Sequence, residues 1–305
     1  MTTSTARLLL VIIVAALGTS AALAAQRTYD KRLEAPPGGR LTFNADVGSV
    51  LVVGRDAPEV VIHADLEGSQ SFLDGFRISA EQTSAGVTVS AHAAHSGWFD
   101  WFDWFSFGST RARFELEVPR GYPVDLGTSG GQIDVRNLSA EVRAATSGGS
   151  VVVQDVTGTV DAHTSGGSIE ADRLNGPTRL TTSGGGIDVT DSTGDLYVRT
   201  SGGSIHIQNE EGRVDAHTSG GGIRAQLRGN RGVTLSTSGG SITLLLPRDT
   251  HAAIEAATSG GRVRSDFPLT TTQMDGGSDV RGTIGGGGPA ISLHTSGGSI
   301  HIEPE

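Results

Sequence analysis

Apolar and polar residues alternate in short stretches over most of the chain beyond residue 127. In one of them Ile169 and Ala171 flank the polar Glu170, just after Gly166-Gly167. A period of two places successive side chains on opposite faces of a strand, so each stretch predicts a short β-strand with one buried face. The same apolar position follows the other Gly-Gly pairs, at Ile133, Val151, Ile187, Ile205, Ile223, Ile242, Val263 and Ile300.

A second alternating stretch completes each unit. Val160, Ala162 and Thr164 fall on one face of it, and Asp161 and His163 fall on the other. The unit therefore predicts two short strands joined by two turns that often contain glycine. We expect the Thr to point inward with the aliphatic residues, and the Gly-Gly pair to adopt the positive φ angles that a Cβ resists. No helical pattern follows residue 25.

The unit repeats, and the string Thr-Ser-Gly-Gly marks it nine times. It starts at Thr128, Thr146, Thr164, Thr182, Thr200, Thr218, Thr237, Thr258 and Thr295. The spacing is 18 residues for the first six copies, and then 19, 21 and 37, so the last interval predicts a unit that has lost the string. A fixed period predicts a solenoid, because one unit cannot bury its own apolar face and stacking buries it. The predicted fold is all-β: a single-stranded parallel β-solenoid (β-helix) with rungs of about 18 residues and an N-terminal β-rich cap.

The start of the chain has the pattern of a secretory signal peptide. Arg7 precedes the apolar run at 8–17, and Ala22-Leu23-Ala24 offers a cleavage site. The run is too short to span a bilayer, which takes about 20 residues, so we expect cleavage and export to the periplasm, the cell surface or the medium. The predicted divisions are a signal peptide at 1–25, a β-rich cap at 26–127 that merges into the solenoid, and the repeats at 128–305 with an irregular insert at 264–294. Residues 48–62 resemble a degenerate first rung.

Composition narrows the possible functions. The net charge is −10, from 23 Lys and Arg against 33 Asp and Glu, which argues against nucleic acid as a partner. The chain has no Cys, so disulfides and thiolate metal sites are excluded.

Three segments also carry a family resemblance. LTFNADVGSVLVVG (41–54), FELEVPRGYPVDLGTSGG (114–131) and RSDFPL with GTIGGGGPAISLHTSGGSI (264–269 and 282–300) accompany the repeated T-S-G-G-x-I unit. Together they resemble the putative adhesin family of bacterial envelope β-solenoids over about residues 30–305. The resemblance implies a solenoid of the cell envelope with an adhesin-like role, and it brings no catalytic residues.

Residues 98–107, WFDWFDWFSF, are the strongest candidate for a functional site. They hold all three Trp and seven of the fifteen aromatic residues. Exposed aromatic clusters mark interaction sites, and Trp is favoured where binding energy concentrates. The alternative is a loop that covers the side or end of the solenoid with its own rings. The predicted partner-binding residues are Trp98, Phe99, Trp101, Phe102, Trp104, Phe105 and Phe107.

No catalytic residue, metal or cofactor is predicted. Gly127-Thr128-Ser129-Gly130-Gly131 matches a nucleophile elbow, but that motif needs a following helix and this one is a copy of the repeat. His163 and His217 are three rungs apart, about 14 Å, which is too far to share a metal. The glycine turns lack the Asp that calcium-binding solenoids use.

These observations favour an exported, non-enzymatic, adhesin-like binding or scaffold protein of the bacterial cell envelope. Its partner would be an envelope component, a protein, a glycan or a lipid surface. One alternative is a carbohydrate-active β-helix enzyme, because Glu170 and Asp188 share an outward position one rung apart, about 4.8 Å. A second alternative is a structural envelope subunit that stacks end to end.

Overall fold

The computed structural model describes residues 25–93, 110–275 and 278–305, with the backbone alone at 271–275. The predicted signal peptide, apart from Ala25, and the whole aromatic segment 98–107 lie outside the described residues. Within them, all regular structure is β except one helix of six residues. That helix is neither long nor apolar enough to cross a membrane. The all-β prediction is confirmed.

The elements are numbered in chain order. The N-terminal part contains β1 (Ala25–Glu34), β2 (Arg40–Ala45), β3 (Ser49–Arg55), β4 (Glu59–Gly68), α1 (Gln70–Gly75), β5 (Phe76–Thr83), β6 (Gly86–Ala93) and β7 (Arg111–Pro119). The regular repeats contain β8 (Val124–Thr128), β9 (Ile133–Leu138), β10 (Val142–Thr146), β11 (Val151–Thr157), β12 (Val160–Thr164), β13 (Ile169–Asn175), β14 (Thr178–Thr182), β15 (Ile187–Thr193), β16 (Leu196–Arg199), β17 (Ile205–Glu210), β18 (Val214–Thr218), β19 (Ile223–Leu227), β20 (Val233–Thr237) and β21 (Ile242–Leu246). The C-terminal part contains β22 (Ala252–Thr258), β23 (Val263–Ser265), β24 (Thr270–Asp275), β25 (Asp279–Ile284), β26 (Ala290–Thr295) and β27 (Ile300–Pro304).

The strands form two long sheets that share one apolar core. Sheet A has 13 strands, in the order β1-β4-β7-β3-β9-β11-β13-β15-β17-β19-β21-β27-β23. Sheet B has 14 strands, in the order β24-β25-β22-β26-β20-β18-β16-β14-β12-β10-β8-β2-β6-β5. Each regular repeat gives one strand to each sheet, and neighbouring repeats pair in parallel, as Val142 does with Val160, 18 residues on. The predicted parallel solenoid is confirmed.

The predicted alternation decides which side chains fill the core. In β12, Val160, Ala162 and Thr164 are buried, whereas Asp161 and His163 are exposed. Stacking places each buried side chain on the matching one of the next rung, and burying a Val or Ile side chain contributes about 1.5–3 kcal/mol. The core is therefore a set of aliphatic rows that run along the solenoid.

The glycine pairs have a different role from the predicted one. Among the described residues, positive φ is absent from the Thr-Ser-Gly-Gly pairs and occurs in the other turn, at Gly158 (145°) and Gly176 (139°). The second glycine of a pair is required by close stacking instead. A Cβ on Gly149 would lie 2.0 Å from the carbonyl oxygen of Gly131 in the neighbouring rung.

The last rung in the sequence is not the last rung in space. Strand β26 lies between β20 and β22, and β27 lies between β21 and β23. The prediction of a lost unit in the 37-residue interval is therefore wrong. That interval holds an antiparallel β24–β25 hairpin on the edge of sheet B, after which the chain returns to fill the slot between two earlier rungs.

The N-terminal end repeats this arrangement. Strands β2 and β3 form a rung that lies between the β6–β7 rung and the β8–β9 rung. Within 48–62 only β3 belongs to a parallel rung, because β4 pairs antiparallel with β7. The interpretation of 48–62 as one degenerate rung is therefore wrong in its second half.

The edge of sheet B is covered at the N-terminal end. The outermost strand of sheet A, β1, points Arg27 and Lys31 across the end of the solenoid. The Arg27 guanidinium donates to the carbonyl oxygens of Leu73 and Phe76, each at 2.6 Å, and Lys31 donates to that of Ala80. The two side chains thus form hydrogen bonds with backbone carbonyls of the edge strand β5. Without these bonds the carbonyls would be free to pair with a strand of another chain.

The helix α1 was not predicted. Its N-cap is Ser69, whose hydroxyl accepts a hydrogen bond from the Phe72 amide at 3.2 Å. A helix of one and a half turns is too short to show a period of 3.6, so the capping serine was the one available signal.

Candidate functional site

The turns at one edge of sheet B are held by the Thr ladder, which we define as the nine Thr of the Thr-Ser-Gly-Gly strings. Thr164 is fully buried; its hydroxyl donates to the Gly149 carbonyl at 2.7 Å and accepts from the Gly167 amide at 3.3 Å. Each ladder Thr thus ties its own turn to a neighbouring one, and the predicted inward orientation is confirmed. The same donor bond is made by Thr128, Thr146, Thr182, Thr200, Thr218, Thr237, Thr258 and Thr295.

A groove of about 400 Å³ lies along this edge, on the outer face of sheet B near its N-terminal end. Its floor is an outward row of side chains that pair in register from rung to rung: Asn44, Gly127, Ala145 and His163. Gly127 and Ala145 have little or no side chain, so the surface is depressed at these two rungs. Beyond His163 the row continues with the larger Thr181. The groove therefore arises from two small outward residues on adjacent rungs.

Polar groups line the walls of this groove. Ser129, Ser147 and Ser165 come from three successive turns and are exposed. On the other side, His92 Nδ1 lies 2.9 Å from Asp46 Oδ1. Hydroxyls, an imidazole and a carboxylate at fixed spacing can bind a hydroxyl-rich or peptide-like surface through hydrogen bonds.

The groove is bounded by the last described residues that precede the aromatic cluster in the sequence. Asp46 Oδ2 accepts a hydrogen bond from the Ala93 amide at 3.0 Å, and Ala93 is the last described residue before 94–109. The chain is described again from residue 110, just before β7. The predicted partner-binding residues, Trp98 to Phe107, lie outside the described residues, so their role stays a prediction.

Asp46, His92 and Ser129 share the groove but are not arranged as a nucleophilic triad. His92 is on β6 and Ser129 follows β8, with β2 between these strands. Two strand spacings separate the serine from the histidine by about 9.6 Å, whereas a nucleophile and its base need about 3 Å. The strand–turn–strand path around Ser129 also lacks the helix of a nucleophile elbow.

The outward carboxylates that suggested a glycosidase lie on sheet A. Glu170 and Asp188 are register neighbours on adjacent rungs, as predicted. Asp188 lies 3.2 Å from His206 Nδ1, and Asp134 binds Arg136 through both oxygens, at 2.8 and 2.5 Å. Asp134 is thus in an ion pair and Asp188 in contact with an imidazole, and all three carboxylates lie on an open sheet face.

The histidines of sheet B follow the predicted spacing. His163 and His217 occupy one outward row and are separated by Thr181 and Arg199, so they stand three rungs apart.

Within the described part of the chain, one group of possible metal ligands lies at β27 and the residue after β23. His301 Nε2 lies 3.1 Å from Asp266 and His301 Nδ1 lies 3.6 Å from Glu303. The Arg224 guanidinium lies 3.7 Å from Glu303, a position that disfavours a cation beside it.

A buried carboxyl interrupts the aliphatic core near the corner of the solenoid. Glu210 is fully buried, one rung from the buried Ser192, whose hydroxyl donates to Glu210 Oε2. The Gly212 amide donates to Glu210 Oε1 at 2.7 Å. Burial raises the pKa of Glu210 from 4.5 to about 7, because the charged form loses its hydration.

Sequence patterns could not have located the groove. Asp46 and His92 are 46 residues apart and meet only because β2 and β6 are neighbours in sheet B. The available signal was weak: Gly127 and Ala145 are small at a position where the next four rungs have His, Thr, Arg and His.

A model of the family described as Toastrack DUF4097 matches residues 45–303. The chain belongs to the Toastrack DUF4097 family. This membership confirms the resemblance noted in the sequence, and the matched region includes most of the groove and both sheets. A search of curated proteins finds no match to this Toastrack chain.

Three solved structures are similar to this Toastrack chain at low identity. One is a putative cell adhesion protein from Clostridium sporogenes, with 12% identity and a TM-score of 0.27, covering 92% of this chain and 100% of its own. The others are putative adhesins from Bacteroides fragilis and Parabacteroides distasonis. Each has 11% identity and a TM-score of 0.35, covering 92% of this chain and 97% of its own.

Proposed function

We propose that this protein is an exported, non-enzymatic, adhesin-like binding or scaffold protein of the bacterial cell envelope. The observation that carries the proposal is the polar groove on the solenoid edge, where Asp46 accepts from the amide of Ala93. Stacked rungs hold the groove side chains at a fixed spacing, so little conformational entropy is lost when a partner binds. The sequence that follows Ala93 is rich in Trp and Phe, and we expect its aromatic residues at 98–107 to supply apolar contact area for the partner.

The two alternatives have less support. A carbohydrate-active enzyme requires two free carboxylates in a cleft, whereas Glu170 and Asp188 lie on an open sheet face and Asp188 lies 3.2 Å from His206 Nδ1. End-to-end stacking requires open sheet edges, and Arg27 and Lys31 occupy carbonyls of one such edge.

Tryptophan fluorescence tests the proposal, because all three Trp lie within 98–104. We expect red-shifted, iodide-quenchable emission from the free protein, and a blue shift when one envelope fraction (outer membrane, peptidoglycan or polysaccharide) is added. Blue, unquenched emission from the free protein would mean that the rings are already covered, and would refute the docking role of the segment.

Two arginine substitutions test whether the partner binds in the groove or whether any added positive charge changes the fluorescence response. Ala145→Arg fills the groove floor, and Ser236→Arg places the same charge farther along the same row. We expect the first variant to lose at least half of the fluorescence response and the second to keep it. Equal responses from both variants would remove the groove from the proposed function.

A further inference from the structure

A second polar surface lies on the outer face of sheet B, beyond the groove. It consists of Arg179 and Thr181 on β14, Tyr197 and Arg199 on β16, and His217 on β18, and we name it the Arg–Tyr patch. Arg179 is the register partner of Tyr197, and Arg199 lies between Thr181 and His217. The five side chains therefore form a continuous surface over three rungs.

The two arginines of the patch are not engaged by carboxylates. The Arg179 guanidinium stacks on the Tyr197 ring, with Cζ 4.1 Å from the ring centroid. Asp161 is its register partner on the other side, yet among the described residues neither Arg179 nor Arg199 forms an ion pair. Arg143, in the same row, shows the contrast, because it lies 2.7 Å from Glu141.

A stacked guanidinium keeps its in-plane N–H groups available. Stacking holds the plane of Arg179 in place, so its donors can bind a carboxylate in two parallel hydrogen bonds with little loss of side-chain entropy. Arg199 is exposed and is a diagonal neighbour of Arg179, about 7 Å away by sheet geometry. The patch thus offers two cationic donors on adjacent rungs of one outer face.

We propose that the Arg–Tyr patch binds an acidic polysaccharide, with carboxylates of neighbouring sugars on Arg179 and Arg199. The inference rests on the proposed binding function and names its ligand class. A flat sheet face cannot enclose a small anion, whereas a polymer gains from repeated contacts along the rungs. Asp161 and Asp215 adjoin Arg179 and Tyr197 in the same row, and the net charge is −10. Double-stranded nucleic acid, with one charge per about 1.7 Å, is therefore repelled more strongly than a polysaccharide with at most one carboxylate per sugar.

The test is binding of the purified full chain to polygalacturonate, a linear polymer with one carboxylate per sugar, measured by titration calorimetry. Pullulan of similar length is the neutral comparison. We expect binding to polygalacturonate alone, weakened by added salt. Arg179→Gln and Arg199→Gln should each lower affinity about tenfold, the effect of one lost charge-assisted hydrogen bond. Arg231→Gln removes the same charge from an exposed turn outside the patch and should bind as the parent does.

The outcomes separate this inference from the proposed function. Equal binding by the parent and by both patch variants would overturn the site. Binding to an envelope fraction without binding to polygalacturonate would overturn the ligand class and leave the proposed function standing. Loss of binding to every envelope fraction and to polygalacturonate would overturn both. All five side chains face outward, so the variants should keep the parent's thermal unfolding midpoint, which circular dichroism checks.

Discussion

The carboxyl of Glu210 should make the stability of the solenoid depend on pH in an unusual direction. Its pKa is raised from 4.5 to about 7 in the folded protein, chiefly by burial. The nearby charges of Glu211 and Asp195 raise the pKa further, while the Gly212 and Glu211 amides lower it. The folded protein therefore binds this proton more strongly than the unfolded chain does.

The sign and size follow from proton linkage. Between pH 4.5 and 7 the folded state holds more protons at Glu210, so its contribution to the unfolding free energy falls as pH rises. Below pH 4.5 Glu210 is protonated in both the folded and the unfolded state, so it does not lower the free energy of unfolding. Each pKa unit corresponds to about 1.4 kcal/mol, so the shift costs about 3 kcal/mol once the pH is above 7.

Glu210→Gln removes this titration and keeps the shape of the side chain. The amide oxygen still accepts from Gly212, and the amide nitrogen donates to the Ser192 hydroxyl. We expect the variant to match the parent at pH 4.5 and to exceed it by about 3 kcal/mol at pH 8.

Urea unfolding followed by circular dichroism at several pH values measures the difference between the variant and the parent. Glu170→Gln, on the exposed face of β13, is the control and should change stability by less than about 0.5 kcal/mol at either pH. A difference between Glu210→Gln and the parent that stays constant from pH 4.5 to 8 would show that folding does not raise the pKa of Glu210, and the reasoning would fail.

Three further predictions concern the scaffold. Thr164→Val removes the hydroxyl that joins the Gly149 carbonyl to the Gly167 amide, so the free energy of unfolding in urea should fall by about 1–3 kcal/mol. Thr181→Val on the outer face should lower it by less than about 0.5 kcal/mol, and equal losses would contradict the role of the Thr ladder. The double variant Arg27→Gln, Lys31→Gln frees carbonyls of β5 and should associate with rising concentration in sedimentation velocity, and a monomer at all concentrations would refute edge protection. Deletion of residues 290–305 removes the rung between β20–β21 and β22–β23. Proteolysis of residues 247–289 should then become faster, while the rungs before β20 stay protected. Unchanged protection of residues 247–289 would contradict the inserted rung.

The sequence by itself determined the rung and its two faces. A period of two assigns Val160 and Ala162 inward and Asp161 outward, and the ladder Thr follows in the same phase. These assignments succeed because they depend on local backbone geometry, in which neighbouring side chains must point to opposite faces. The family resemblance was readable for the same reason, since the repeated string lies in one short stretch of each unit.

Only the tertiary structure decided which rungs are neighbours. Every Thr-Ser-Gly-Gly turn offers the same hydrogen bonds, so nothing local to Thr295 states that its rung fits between those of Thr237 and Thr258. The glycine pair was also misread, because a clash with the Gly131 carbonyl depends on the next rung and not on the φ of Gly149.

The groove and the Arg–Tyr patch follow the same logic. Asp46 meets His92 through strand pairing between residues 46 positions apart, whereas Arg179 meets Tyr197 one 18-residue repeat away, as the period predicts. The stacking of the Arg179 guanidinium on the Tyr197 ring is what the structure adds. A repeat encodes what each rung looks like, whereas the surface it builds depends on which side chains the stacking order brings together.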